Sequence, residues 1–274
     1  MFRFYYTIVM RIGSIIHFVP KMRKYAKHPE IYSEEDCLDL CKVMIRKIAK
    51  TARTTTSYHG VENLPEDGGY IMYANHQGKY DALGVLWGLS RPCRVLMNLE
   101  RSQMPLANEF VSLVRGKRID MNDVRQQVRC IREIGEEVKD GKVYLIFPEG
   151  GYRRRGQDNR MNPFHSGCFR AAVRSGRPIV PVALIDSFKP FGSKGLGAVH
   201  TQVHFLPPIP YEEFAQLTNV EIAAIVQERI AAHMESVLGY AVLPEEEVST
   251  DAASCDAASR DAAAPKASKD WLVG

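Results

Sequence analysis

Short, wholly apolar runs alternate with longer amphipathic stretches along most of this chain. Tyr70-Ile71-Met72-Tyr73-Ala74, Cys93 to Met97, Val143 to Phe147, Pro178 to Ile185 and Val199 to Phe205 read as strands. Apart from the more mixed last one, these runs do not alternate polar with apolar. That suits strands covered on both faces. Between them lie helical patterns. Leu38, Cys41, Ile45 and Ile48 form a stripe that follows Ser33 and Asp36, a variant of the capping box. Ala82 to Trp87, Leu106 to Leu113, Val124 to Val138 (closed by Lys139-Asp140-Gly141), Phe169 to Ser175 and Val220 to Leu238 supply further helices. Tyr58-His59-Gly60-Val61 and Gly116 to Asp120 read as two short strands. Strand and helix in alternation predict an α/β fold, with a mixed, mostly buried central sheet flanked by helices.

The two ends differ from this body. Residues 1–53 read as an N-terminal helical segment rich in aromatic and aliphatic side chains. Arg3, Arg11 and His17 interrupt it, and Lys21, Arg23, Lys24 and Lys27 follow. It holds no run of 18 apolar residues, so a spanning helix is not expected. Arg11 breaks the apolar region that a secretory signal needs, and no small-residue cleavage site follows. Phe2, Phe4, Tyr5, Tyr6, Ile8 and Val9 ahead of a basic cluster fit a helix lying in the headgroup layer. They fit a helix packed on the protein's own core equally well. Residues 54–243 form the expected globular domain. From 244 to 274, DAAS occurs twice and DAAA once, an acidic-alanine composition that points to a disordered tail.

Composition adds a charge asymmetry. The 274 residues carry a formal +4, but the segment from Pro244 holds seven acidic and three basic residues, so the rest carries +8. A basic body suits an anionic partner such as a phosphorylated substrate or an anionic lipid surface. Neither zinc-finger spacing nor an aromatic RNA-binding pattern is present, which argues against nucleic acid. The six cysteines show no C-x2-C pair, and no metal site is expected.

The chemistry concentrates after the first apolar run. His76 falls at a strand end and Asp81 in the first turn of the following helix. Within one helix, five residues would turn the two side chains to different faces. A bend between them lets the carboxylate reach one imidazole nitrogen, fixing the tautomer and leaving the other nitrogen to accept a proton. That is the wiring of a general base acting on a hydroxyl. H-x4-D alone occurs in many chains by chance, so its context matters. Two further stretches end strands, where ligands bind in such sheets. They are Phe147-Pro148-Glu149-Gly150-Gly151-Tyr152-Arg153-Arg154-Arg155 and Gly116-Lys117-Arg118-Ile119-Asp120.

These blocks together resemble the glycerolipid acyltransferase superfamily, and specifically its 1-acylglycerol-3-phosphate acyltransferases. Asn75-His76-x4-Asp81, Gly116 to Asp120, Phe147-Pro148-Glu149-Gly150 and Ile179-Val180-Pro181-Val182 follow the family's order, and Phe164-His165-Ser166-Gly167 resembles its phenylalanine-basic-x-glycine. Two departures stand out. Gly151-Tyr152 precede the arginines where the family writes threonine-arginine, and Met121 stands where it often has arginine. The resemblance implies a glycerol-3-phosphate acyltransferase-like fold and transfer of a fatty acyl group from acyl-CoA or acyl carrier protein to a lysophospholipid, lysophosphatidate first, with another lysolipid or glycerol 3-phosphate as alternative acceptors and lipid ester or thioester hydrolysis as the alternative reaction. It further implies His76 as base, Asp81 as its orienting partner, and no metal, cofactor or covalent enzyme intermediate. Glu149 and Gly150 are expected to shape the acceptor pocket, with Lys117, Arg118, Arg153 and Arg154 binding its phosphate. Amides near Gly78 or Gly150 are the expected oxyanion donors. Peripheral association with the cytoplasmic face of a membrane is expected from the insoluble substrate and the N-terminal composition.

Overall fold

The computed structural model describes residues 2–152 and 158–243; Arg153, Arg154 and the acidic-alanine tail lie outside the described residues. The chain runs α1 (Phe2–Met10), α2 (Ile12–Lys27), α3 (Glu34–Thr51), β1 (Thr54–His59), β2 (Tyr70–Ala74), α4 (Asp81–Gly88) and β3 (Arg94–Asn98). It continues through α5 (Leu99–Ser102), α6 (Ala107–Leu113), β4 (Lys117–Ile119), α7 (Val124–Lys139), β5 (Val143–Ile146) and α8 (Arg170–Ser175). The last elements are β6 (Ile179–Ile185), α9 (Lys189–Gly192), β7 (Val199–Phe205), α10 (Tyr211–Phe214) and α11 (Asn219–Leu238).

One seven-stranded sheet results, in the order β1-β7-β6-β2-β5-β3-β4. Neighbours are parallel except β6 and β7. The strands β6, β2, β5, β3 and β4 therefore share one direction and present their C-terminal ends along one edge. Every residue of β2, β5 and β6 is buried, as their unbroken apolar sequence requires. Alternate residues divide between two cores. Ile71, Tyr73, Tyr144, Ile146, Ala183 and Ile185 face α7, α8 and α11. Tyr70, Met72, Val143, Leu145, Val182 and Leu184 face α2, α3, α4 and α6. Pro181 is tolerated inside β6 because it sits one residue before the paired run with β7, where its carbonyl accepts from Leu206 N–H at 2.9 Å.

The Ser33 hydroxyl caps Asp36 N–H while the Asp36 carboxylate accepts from Ser33 N–H, completing the box that starts α3. Cys37 and Cys41 are buried one turn apart on that helix. Where the sequence suggests a strand from Tyr58, β1 begins at Thr54, its hydroxyl-rich half paired with β7. There Thr56 Oγ1 lies 2.9 Å from Thr201 Oγ1 and 3.2 Å from Tyr80 Oη. The N-terminal segment packs some of its side chains on the protein and leaves others in solvent. Thr7, Phe18 and Met22 are buried, while Phe2, Tyr5, Val9, Met10, Ile12 and Ile16 stand exposed. Arg23 ties α2 to Glu109 of α6 at 2.6 Å. Among the described residues, no helix is long and apolar enough to cross a membrane.

At the N-terminal end of the parallel strands, Arg94 bridges Glu34 (2.7 Å) and Glu137, with Lys142 on Glu34 at 2.9 Å. Lys117 opens β4 rather than ending it, and binds Glu133 and Glu137 of α7 at 2.9 and 2.8 Å. This network fastens α3 and α7 at the opposite end of the sheet from His76.

Candidate active site

The site begins where β2 ends. Asn75 and Gln77, two residues apart, point to the same side and lash the loop to the end of β6. Asn75 Oδ1 accepts from Leu184 N–H (2.7 Å), and its Nδ2 donates to Leu184 O (3.0 Å). Gln77 Nε2 donates to Leu184 O (2.8 Å) and Asn159 Oδ1 (2.9 Å), while its Oε1 accepts from Ser187 N–H (2.8 Å). His76, between them, lines the opposite side, a cleft of about 1440 Å³ across the C-terminal ends of the strands.

Asp81 is fully buried at the first residue of α4. Its Oδ2 lies 2.7 Å from His76 Nδ1 and accepts from the N–H groups of Gln77 (2.5 Å) and Gly78 (2.9 Å). One carboxylate oxygen thus closes the bend and holds the ring. The His76 imidazole stacks on Phe147, with centroids 4.4 Å apart and planes 25° apart. Tyr152 meets it edge to face at 4.7 Å and 82°. With Nδ1 donating to Asp81, Nε2 is the nitrogen able to accept a proton.

Glu149 joins this loop to the next. Its Oε1 accepts from His76 N–H (2.7 Å), and its Oε2 accepts from Asn162 N–H (3.0 Å) and Nδ2 (2.9 Å). Burial pushes its carboxyl up to about 8, opposed by those three donors and reinforced by the Asp81 carboxylate. Its contacts are to the protein, so it supports the site from behind; Gly150, Gly151 and Tyr152 line the cleft.

Several expectations change. Lys117 is committed to α7 glutamates. Arg118, on the other face of β4, donates to Asn108 Oδ1 (3.0 Å) and Ser112 Oγ (2.8 Å) of α6. Neither lines the cleft, to which this segment contributes Ile119 and Met121 instead. The expected oxyanion amides are also engaged, Gly78 N–H by Asp81 and Gly150 N–H by the Phe147 carbonyl at 3.2 Å. Cations not singled out from the sequence do line the cleft, namely Arg11, Lys47, Lys79, Arg101, Arg132, Arg170 and Arg174. Their positions on six separate segments left no local signal. His165, of the Phe-His-Ser-Gly stretch, lines it too, and burial lowers its imidazole below the usual range. Among the described residues, no group of three His, Cys, Asp or Glu side chains is arranged to hold a metal.

The cleft has two unlike arms. On the face carrying α1 to α4, Phe4, Ile8, Ile15, Phe18, Met44 and Leu83 line it with mainly apolar surface, together with Arg11, Lys47 and Lys79. On the face carrying α7 and α8 its rim is arginine-bearing.

Comparison with known proteins agrees with this arrangement. A family model described as Acyltransferase matches residues 55–185. A chloroplastic 1-acyl-sn-glycerol-3-phosphate acyltransferase of Brassica napus is 32% identical over 54% of this chain and 44% of its own length. The human 1-acyl-sn-glycerol-3-phosphate acyltransferase alpha is 26% identical over 78% of this chain and 72% of its own. The chain thus spans less than half the length of the chloroplast relative. The crystal structure of the 1-acyl-sn-glycerophosphate acyltransferase PlsC from Thermotoga maritima superposes with a TM-score of 0.68. It covers 87% of this chain and 98% of that one at 19% identity, a likeness of fold.

Proposed function

We propose that this chain, whose residues 55–185 match the Acyltransferase family model, acylates the free hydroxyl of lysophosphatidate to give phosphatidate. The observation that carries this reading is the His76–Asp81 pair, 2.7 Å apart, with the imidazole facing a large, mainly apolar cleft. The acceptor hydroxyl gives its proton to His76 Nε2 as its oxygen attacks the thioester carbonyl of the donor. The C–O bond forms, the C–S bond breaks, and the imidazolium returns the proton to the departing thiolate. Asp81 holds the ring and stabilises the imidazolium while it exists. The apolar arm between α1, α2 and α3 suits an acyl chain.

The acceptor and the product are lipids, so the enzyme works at the cytoplasmic face of a membrane as a peripheral protein. The exposed Phe2, Tyr5, Val9, Met10, Ile12 and Ile16 support contact there. Arg153 and Arg154, next to the cleft-lining Tyr152, are the proposed partners of the acceptor phosphate.

The test is release of free thiol from oleoyl-CoA or oleoyl-acyl carrier protein with lysophosphatidate, glycerol 3-phosphate or no acceptor. Release that requires lysophosphatidate, and is lost in His76→Ala, is the expected result. Release without acceptor would make the protein a thioesterase, and no release with either donor would remove the reading. Co-sedimentation with vesicles that is unchanged after deletion of residues 1–28 would overturn the role given to α1 and α2.

A further inference from the structure

Helix α7 is capped by Asp123, whose side chain accepts from Gln126 N–H, but its first half is otherwise basic. From Val124 to Arg132 it carries Arg125, Arg129 and Arg132 and no acidic residue. A helix N-terminus bears partial positive charge, which favours acids and opposes cations. Arginines three and four residues apart on one helix also repel each other. The acids of α7 come only later, and each is already engaged. Glu133 and Glu137 hold Lys117, and Glu136 holds Arg174 at 2.5 Å. Arg125, Arg129 and Arg132 enter no ion pair among the described residues, and neither does Arg170 of α8.

Beside these cations stand apolar side chains in water. Val124 is 70% exposed, Val128 53% and Met104 47%. All three belong to the rim of the cleft, together with Met121, Arg132 and Arg170. Arg125 and Arg129 are exposed and lie outside the rim, so the basic surface continues from the cleft along the outer side of α7. A nucleotide held in the concave cleft would meet Arg132 and Arg170 but not Arg125 and Arg129, which lie outside it. An apolar centre bordered by arginines that enter no ion pair among the described residues, two of them outside the cleft, has the make-up of a protein-docking patch. It also lies on the sheet face opposite α2 and α3, away from the exposed apolar residues of α1 and α2.

We propose that the outer face of α7, centred on Val124 and Val128 and flanked by Arg125, Arg129, Arg132 and Arg170, docks an acidic carrier protein. That protein delivers the acyl thioester on its phosphopantetheine arm into the arginine-rimmed end of the cleft. The inference rests on the acyl-transfer reading and selects among its donors. Charge complementarity carries it: the patch offers unpaired cations, and an acidic helix of the carrier supplies their counter-charges.

The test compares the full chain with its Arg125→Glu/Arg129→Glu variant, using hexadecanoyl-acyl carrier protein and hexadecanoyl-CoA as alternative donors to lysophosphatidate. Neither residue touches the cleft, and an acid in the first turn favours the helix, so folding is not at risk. For the wild type, kcat/KM with the carrier-protein donor should fall steeply as salt rises. In the variant, KM for that donor should rise about tenfold or more while kcat/KM with the CoA donor stays within about twofold. Unchanged kinetics with the carrier donor, equal losses with both donors, or a wild type that uses only CoA would each overturn the proposal and leave acyl transfer standing. If neither donor is used, acyl transfer falls, and direct titration with the phosphopantetheinylated carrier protein decides docking. Binding that charge reversal abolishes would uphold the patch, and no binding would overturn it. A variant that loses only its pelleting with phosphatidylglycerol vesicles would reassign the patch to lipid and overturn the proposal.

Discussion

Replacing Asp81 with Asn removes one charge and nearly preserves shape, so it isolates what the carboxylate does for His76. Asp81 Oδ2 accepts three N–H donors, from His76, Gln77 and Gly78, while Oδ1 has no partner among the described residues. An asparagine can put its carbonyl oxygen where Oδ2 was and turn its NH2 to the empty side. The loop then keeps its three bonds, and the cost to folding is one buried, unpartnered NH2, about 1–3 kcal/mol. What disappears is the anion facing the imidazolium that forms as the hydroxyl proton moves. For charge centres roughly 4 Å apart at an effective dielectric constant of about 20, that attraction is on the order of 4 kcal/mol. At about 1.4 kcal/mol per decade, kcat should fall roughly 10³-fold. KM should change little, because the lost attraction exists only once the proton has moved. The assay is steady-state thiol release with lysophosphatidate, alongside a circular-dichroism melt to establish folding. A folded Asp81→Asn protein with kcat within about tenfold of wild type would refute the reasoning. Asp81 would then serve only to close the bend.

Three further outcomes follow from the same contacts. In Glu149→Gln, an NH2 must face one of the donors on His76 or Asn162, so stability should drop by about 1–3 kcal/mol with a loss in kcat; urea unfolding and thiol release would show both. Arg94→Met leaves Glu34 with Lys142 and Arg115, and Glu137 with Lys117 and the Tyr144 hydroxyl, at the far end of the sheet. It should cost about 3 kcal/mol, read by urea unfolding, while kcat per folded molecule stays at the wild-type value. His204 stacks on His59 (4.4 Å) and near His233 (4.7 Å), and burial, then those two neighbours, lowers its imidazole to about 4. A depressed histidine favours the folded state above its ordinary value near 6.5 and loses that contribution as pH falls toward 4, at most about 3 kcal/mol. The melting temperature of wild type should fall over that window, and His204→Asn should flatten the dependence.

The parts of this molecule that announce themselves in sequence are those whose partners are near in the chain. The strands β2, β5 and β6 are legible because burial on both faces demands unbroken apolar runs, and α3 because its cap lies within four residues. His76 and Asp81 are legible together because a single bend joins them. Thr54 to Thr56 gave no strand signal, since the pairing of these polar residues depends on β7, far along the chain. Lys117 and Arg118 looked like free cations for the same reason, their partners on α7 and α6 being invisible in the local pattern. Glu149, expected to shape the acceptor pocket, holds the His76 amide, 73 residues away, a contact with no local signal. Strand order, with β2 between β5 and β6, has no local signature at all, and it alone brings these two loops together.

The places where local preference is violated mark the cleft. Leu106, a bulky residue with φ of 70°, lines it, although that conformation is costly for any side chain. The N–H of Leu106 is held by Glu109 Oε2 at 2.9 Å, and Glu109 Oε1 in turn binds Arg23 of α2 at 2.6 Å. The strained corner on the rim is thus fastened to the helix whose neighbouring turns form the apolar arm. If the strain serves to shape that arm, Leu106→Gly should relieve it in the backbone and yet widen the cleft by a side chain. The expected result is a protein at least as hard to unfold relative to the loss of one half-buried leucine, with altered preference among acyl donors of different length. Unchanged chain-length preference, measured with donors from decanoyl to octadecanoyl, would mean that Leu106 only turns the chain and that the arm is shaped by α1 and α2 alone.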